Sequence, residues 1–413
     1  MGLGRRITAT VFAVAVTVTA TAPAQAAVTA DDTAAGWLAR QLVDGEYIDT
    51  PGVPGMPDHG LTADVVLALD AAGVAKGAAE KATAFLAVPA NATYYAFPGG
   101  GESYVGPLAK LGLVAQAQGI DPKTFGGIDL HARLLALMDA RTGRFADATK
   151  YGDQTSTFSQ ALAVLTLKRA GELPDLAVDY LAGAACPDGG FPVPFEEATC
   201  LPDVDGTAIT VQALLAAGRA QPATKGLDWL VANQRPNGSF LDGGIENSNS
   251  TGLAAQALRA GGRTAEADKA VAFLVTLQVG CDRPEADRGA IPHNASEFDA
   301  ATAARAAAQA IPGIAGVSFA DITADGATAA LPTVDCPTPT TTTTAPTTTT
   351  TTASGTTTTT SAAAPLPAGS RTPPLAATGF QPTAGVWVGV LLLLTGTGLV
   401  LVSRRRVPHG GNK

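Results

Sequence analysis

The segment Lys225-Gly226-Leu227-Asp228-Trp229-Leu230-Val231-Ala232-Asn233-Gln234-Arg235-Pro236-Asn237-Gly238-Ser239-Phe240 recurs in weaker form along the chain, about every 47 residues. A period of that size marks small two-element units that must stack or close on one another, because one unit cannot bury its apolar faces alone. With Trp229 as reference, the equivalent positions are Trp37, Phe85, Leu134, Tyr180 and Phe273, and Leu follows in every copy. Gln234 is matched by Gln278 and, one position off, by Gln41; Gly238-Ser239-Phe240 is matched by Gly143-Arg144-Phe145 and Gly189-Gly190-Phe191. A second element follows each copy, clearest in Thr207 to Gly218, with Thr62 to Gly73 and Thr251 to Gly262 close to it.

Both elements are rich in Ala and Leu, place apolar residues at helical spacing and end on Gly. No run alternates in the manner of a strand. The reading is all-α: six helix pairs, twelve helices, from residue 32 to residue 335, able to close into an (α/α)6 toroid.

The ends of the chain carry their own signals. Arg5 and Arg6 precede an apolar run from Ile7 to Ala22, then Ala24-Gln25-Ala26, so residues 1–26 read as a secretory signal peptide. A true membrane helix is the alternative, for which the run is short. Residues 337–374 are almost entirely Thr, Pro, Ala and Ser, a composition that cannot bury apolar surface and predicts a solvated, O-glycosylatable linker. There follow Leu375-Ala376-Ala377-Thr378-Gly379, an apolar span at 386–402 predicted to form one transmembrane helix, and a basic tail at 403–413 with Arg404, Arg405 and Arg406. That order resembles the cell-wall sorting signal of Gram-positive bacteria, with LAATG in place of LPXTG. The resemblance implies sortase and peptidoglycan as partners, with Leu375, Thr378 and Gly379 as the sortase site and cleavage after Thr378. A permanent single-span membrane protein is the alternative. In both, the folded part is extracellular, at the cell wall or membrane.

Four cysteines, an even number in an exported chain, predict disulfides. Of the three possible pairings, proximity favours Cys186–Cys200, which leaves Cys281–Cys336. No CxxC pair occurs, and His59, His131, His293 and His409 are scattered, so no structural metal is expected. The formal charge is -9, and loss of the six basic residues in the two processed ends takes it to -15. An acidic surface argues against nucleic acid as a partner.

The Lys225-to-Phe240 segment resembles the QW motif of the squalene cyclase and protein prenyltransferase superfamily, with Phe240 where Trp is usual. The resemblance spans the folded part and implies an α/α toroid with six inner and six outer helices. It also implies that these segments tie neighbouring repeats together. Asp203-Val204-Asp205-Gly206-Thr207-Ala208 resembles the DxDDTA motif of squalene-type cyclases, which makes Asp203 and Asp205 the candidate catalytic pair and Asp205 the acid. Gly206 replaces the last Asp, and Asn247-Ser248-Asn249-Ser250-Thr251-Gly252 repeats the motif with amides, which supply no acidic proton. Helix capping explains the same residues. The chain is 5% aromatic, sparse for a cavity that stabilises carbocations. Squalene-type cyclases use a second helical domain for which no sequence remains; neither a prenyltransferase Asp, Cys and His zinc set nor a thioester GCGEQ motif is visible.

The loops before the inner helices offer a binding rim: His59, Tyr94, Tyr95, Phe97, Tyr104 and His293, with Tyr151, Phe158, Phe195 and Phe240 in comparable positions. Ring closure would bring Asp58-His59 near His293-Asn294, with Glu297 and Asp299. Intrinsic factor and transcobalamin, secreted cobalamin carriers, share the toroid without enzyme activity, although their second β domain is missing here. The leading expectation is therefore a non-catalytic surface protein that binds a small molecule, for which the cobalamin carriers suggest a corrinoid held by a rim His, or a wall or host component. No cofactor is otherwise expected. The alternatives are a terpene-cyclase or prenyltransferase-like enzyme using Asp205, and a structural display protein.

Overall fold

A computed structural model describes residues 28–195, 199–296 and 298–337. The signal segment, the Thr-rich linker, the LAATG motif, the 386–402 span and the basic tail lie outside the described residues, as does Glu297. Among the described residues no helix is long and apolar enough to cross a membrane.

Thirteen α-helices are described: α1 Ala30–Ala39, α2 His59–Ala72, α3 Lys76–Leu86, α4 Pro89–Ala96, α5 Val105–Ala117, α6 Leu130–Leu135, α7 Thr157–Ala170, α8 Asp175–Gly183, α9 Val204–Ala216, α10 Ala220–Asn233, α11 Ser248–Ala260, α12 Thr264–Leu277 and α13 Ala300–Ala315. Helices α2, α5, α7, α9, α11 and α13 touch in that order, and α13 touches α2, so they close a ring. Helices α1, α3, α6, α8, α10 and α12 lie outside it, each against an inner neighbour. The expectation of twelve helices is corrected by α4. Pro89 sits in its first turn, where a missing N–H costs nothing, and starts an extra helix between α3 and α5. Two short antiparallel hairpins also occur, β1 Asp49–Thr50 with β2 Val53–Pro57 and β3 Phe240–Asp242 with β4 Ile245–Asn247, each leading into an inner helix.

The repeated residues hold units together. Thr62, Thr207 and Thr251, all fully buried, accept from the backbone N–H groups of Ile48, Phe191 and Phe240, fixing each entry segment to its inner helix. Gln234 Nε2 donates to Gly238 O and, at 2.8 Å, to Glu266 O in the next outer helix. Gln278 Nε2 reaches Ala30 O at 2.7 Å, joining the last repeat to the first, and Trp37 Nε1 donates to Ala286 O across the same seam. Gly238 has φ 92° and packs so closely that a Cβ would lie 2.1 Å from Lys269 O, so only glycine fits.

The C-terminal ends of the inner helices are crossed by a strap, residues 316–336. Arg169 donates from both Nη atoms to Phe319 O and Ile322 O, at 3.0 and 2.8 Å, and Gln212 Oε1 accepts from Phe319 N. The strap then bonds Ala117, Gly73 and Ala75 through backbone groups and passes over Gly36, where a Cβ would overlap Pro332 O. Cys281–Cys336 pins its end, and Cys186–Cys200 closes the loop before α9, with Cα separations of 5.6 and 5.5 Å. Both pairings are the expected ones, and they suit an oxidising compartment.

Candidate functional site

All six inner helices start at the end of the ring opposite the strap, so six positive helix ends surround one mouth. Asp58, Ser156, Asp203, Asn247 and Asp299 occupy N-cap positions there, and Asp58, Asp203 and Asn247 accept from helix N–H groups at 2.8 to 3.0 Å. Helix α5 is capped from outside: Asp147 accepts from Val105 N at 2.8 Å. Burial lifts the Asp147 carboxyl to about 6 against the pull of that N–H.

The inner helices are otherwise buried, so their half-exposed side chains mark the axis. Counting from the first residue, positions two and six share one face, being four residues apart. On α7, α9 and α11 these are Phe158 over Leu162, Asp205 over Ile209 and Asn249 over Leu253. On α13, α2 and α5 they are Ala301 over Arg305, Gly60 over Asp64 and Gly106 over Lys110. Each set comes from three neighbouring helices. The mouth is therefore stepped. One half carries bulk at the second position and buried aliphatics beneath; the other carries small residues there, Gly60 and Gly106 both being buried, with charges about one turn, ~6 Å, further along.

In the charged half Lys110 Nζ lies 2.7 Å from Asp64, with the two side chains only 18% and 14% exposed. Arg305 Nη2 lies 2.9 Å from Asp58 Oδ2, which is almost fully buried. The Tyr95 hydroxyl stands over Gly60, where a Cβ would be 3.1 Å away. Burial first, then the charges of Asp64 and Asp58, push that phenol well above its ordinary value, so it stays a neutral hydroxyl.

In the other half Asp203 is the cap that helix-capping logic assigns, accepting from Asp205 N and Gly206 N. Asp205 is not a cap. Its Oδ1 is buried without a hydrogen-bond partner. Burial, then the negative charge of Asp203, raise its carboxyl to about 7, with Ser250 pulling the other way. Burial and the Asp203 charge also raise Asp242, while His293 opposes. His293 Nδ1 donates to Asn249 Oδ1 at 2.8 Å, and Asn249 Nδ2 donates to Gln309 Oε1 at 2.6 Å. Burial lowers the His293 imidazolium, with Asp242 opposing, which favours the neutral ring.

The rim candidates separate. Tyr94 is 55% exposed on the lip. His59 is buried, packed among Phe85, Tyr94 and Tyr95 at centroid distances of 5.2 to 6.1 Å, and burial lowers its pKa. His59 and His293 thus hold different partners, although α2 and α13 do adjoin. Phe97 is buried under the Arg133 guanidinium, 4.1 Å from its ring centroid. Tyr104 bonds Glu102 and Thr149. Among the described residues no three His, Cys, Asp or Glu side chains gather as a metal site would require. Sequence reasoning missed Asp64, Lys110, Arg305 and Gln309. Their signal was available: each of the first three is a charge inside a helix that is otherwise apolar and buried, which is rare without a purpose.

No protein-family model matches the chain, and no curated protein matches it. Solved structures share its architecture, the α/α toroid. The type II terpene cyclase MstE from Scytonema aligns with TM-score 0.53 at 16% identity, covering 69% of this chain and 96% of that one. An alpha-amylase from Clostridium perfringens aligns at 0.54 and 11%, covering 71% and 99%. An unsaturated glucuronyl hydrolase specific for heparin aligns at 0.52 and 13%, covering 71% and 98%. At these identities the likeness establishes the fold. One toroid of this extent covers nearly the whole of that terpene cyclase, so the expectation that such a cyclase needs a second helical domain does not hold for it.

Proposed function

We propose that this protein works at the mouth of its ring, as an exported receptor for a small polar molecule. The observation that supports this most is the lining: two partly exposed ion pairs, an amide chain from His293 to Gln309, and a single aromatic, Phe158, on the second-position faces. A carbocation cavity needs aromatic faces and the exclusion of nucleophilic and charged groups, so this lining favours a hydroxylated or charged ligand over a terpene. The same lining gives no support to a corrinoid held by His59, whose ring is enclosed. Export through residues 1–26, and sortase attachment through Leu375, Thr378 and Gly379 after a Thr-rich stalk, belong to the same proposal. The two disulfides support the extracellular part of it.

A second reading rests on Asp205. A buried carboxyl near 7 with one free oxygen is suited to give up a proton, and solved structures of the same fold include a type II terpene cyclase and an unsaturated glucuronyl hydrolase. On that reading the protein is an enzyme acting on a polar substrate, with Asp205 as general acid. One experiment decides. The purified full-length protein is incubated with cell extract, and both the retained and the released small molecules are identified by mass spectrometry. Retention of an unchanged compound by wild type and Asp205→Asn alike supports the receptor. A product released by wild type and absent with a folded Asp205→Asn protein establishes the enzyme and sinks the receptor. Mass analysis of the mature termini tests processing, with a C-terminus at Thr378 expected.

A further inference from the structure

Trp37 and Trp229 hold the same position in two repeats and have different surroundings. Trp37 is fully buried, and its Nε1 is used inside the seam. Trp229, on the outer helix α10, stays partly exposed in the wall of a cavity of about 620 Å³. That volume lies within the ~300–1,000 Å³ of small-molecule sites. The lining is Asp188, Pro202, Asp228, Trp229, Ala232 and Asn233. The last four follow one face of α10, at i, i+1, i+4 and i+5. Asp188 and Pro202 form the other wall, each two residues from a half of the Cys186–Cys200 disulfide. Bonds within that loop hold the wall in place: Cys186 N donates to Gly190 O at 2.8 Å and Gly189 N to Cys186 O at 2.9 Å. A Cβ on Gly190 would lie 2.8 Å from the Trp229 ring and 2.6 Å from Pro202, so the glycine lets the indole rest against the loop. Trp229 Nε1 donates to Asp188 Oδ2 at 3.0 Å, which fixes the orientation of the ring.

We infer that this cavity is a carbohydrate subsite, with the Trp229 indole as the platform for a neutral pyranose unit of a glycan. A pyranose presents a face of weakly positive C–H groups edged by hydroxyls. The electron-rich indole face suits the C–H groups, and Pro202 and Ala232 extend the apolar floor. The hydroxyls need acceptors at the edge. Asn233 spends Nδ2 on Trp229 O at 2.8 Å, and its Oδ1 has no partner among the described residues. Asp228 gives Oδ1 to Arg263 and keeps Oδ2 for a second donor. A charged ligand matches the lining less well. The Asp228 carboxylate is balanced by Arg263, and Asp188 already accepts from Trp229 Nε1 and Gly190 N, so neither is a bare anion for a cation to neutralise. No basic side chain lines the cavity to meet an acidic ligand. The inference does not rest on what the mouth binds, because the platform belongs to an outer helix and to the loop stapled beside it.

The test is titration calorimetry on the full-length protein with maltotriose, cellotriose and triacetylchitotriose, and with cadaverine and trigalacturonate as charged probes. At least one neutral trisaccharide is expected to bind about tenfold or more tightly than either charged probe. Trp229→Ala should weaken that sugar at least about tenfold and Asn233→Ala about threefold, while Trp229→Phe, which keeps an aromatic face, should stay within about threefold of wild type. Circular dichroism confirms that each variant is folded, and Asn233 is exposed, so its variant decides the matter if Trp229→Ala fails to fold. Sugar binding unchanged in both Trp229→Ala and Asn233→Ala overturns the inference. Loss in Asn249→Ala alone overturns it too, by placing the sugar in the mouth. Tighter binding of cadaverine or trigalacturonate overturns the neutral class. Silence toward all three trisaccharides overturns the subsite and leaves the mouth reading to its own experiment.

Discussion

The two ends of the ring are built from the same six helices and use their charged groups differently. At the strap end the charged groups are spent on the chain itself: Arg169, with Gln212 Oε1 beside it, holds the strap's backbone, and Gln118 Nε2 donates to both oxygens of Asp70, although Gln212 Nε2 stays buried without a partner. At the mouth, Asp205 keeps a carboxyl oxygen unpartnered, and Arg305, Lys110 and Asp64 stay partly open. Satisfied polar groups rigidify, whereas unsatisfied ones cost stability and persist where a ligand can complete them. The difference separates closure from function on one scaffold.

The largest effect should come from the strap. Removing Cys281–Cys336 by paired serine substitution opens a loop with a sequence separation of 55. Chain entropy alone then predicts a loss of about 4 kcal/mol, read by urea unfolding. Next is Arg169→Ala, which strands two carbonyls bonded to a charged donor and should cost about 3 kcal/mol by the same measurement. An effect below ~0.5 kcal/mol for either would break the contrast between the ends.

The mouth should show itself through pH. Asp205 and Asp147 at the mouth have folded pKa values raised to about 7 and 6, chiefly by burial, and Asp70 at the strap end adds a third raised to about 6. A raised carboxyl holds its proton more tightly in the folded state. Its contribution is thus fully present below the unfolded value and is lost as pH rises through the folded one. The thermal midpoint should therefore fall between about pH 4 and about pH 7. Asp205→Asn cannot ionise, so its fall should be visibly smaller; an unchanged slope would show that Asp205 does not carry the shift. The smallest effect is expected for Lys110→Met with Asp64→Leu, a change within about 1 kcal/mol. A loss as large as that of Arg169→Ala would assign the pair to structure.

Much of this was legible in the sequence. The six Trp37-to-Phe273 positions, the buried Thr of three inner helices and the Gln residues pointed to a ring. Local capping logic likewise assigned Asp203 its role. Asp205 was paired with Asp203 by its motif, but its solvation is set by α11 and β3 packing beside it, which no local pattern encodes. Helix α4 was missed because Pro89 both ends one periodic run and begins another. His59 looked like a rim ligand because it follows a loop; its burial depends on Tyr94 and Tyr95 folding back from the next repeat.

The sequence by itself determined the unit, its period and the pairing of cysteines, because those follow from helical periodicity, glycine conformational freedom and chain proximity. Only the tertiary structure decided the mouth. Arg305 meets Asp58 across a separation of 247 residues, and does so because α13 closes on α2. Three charges that look like isolated breaks in apolar helices come to one face of the ring when six helices share an axis. Burial, which turns ordinary side chains into paired ions and a raised carboxyl, is a property of the closed ring and of no segment within it.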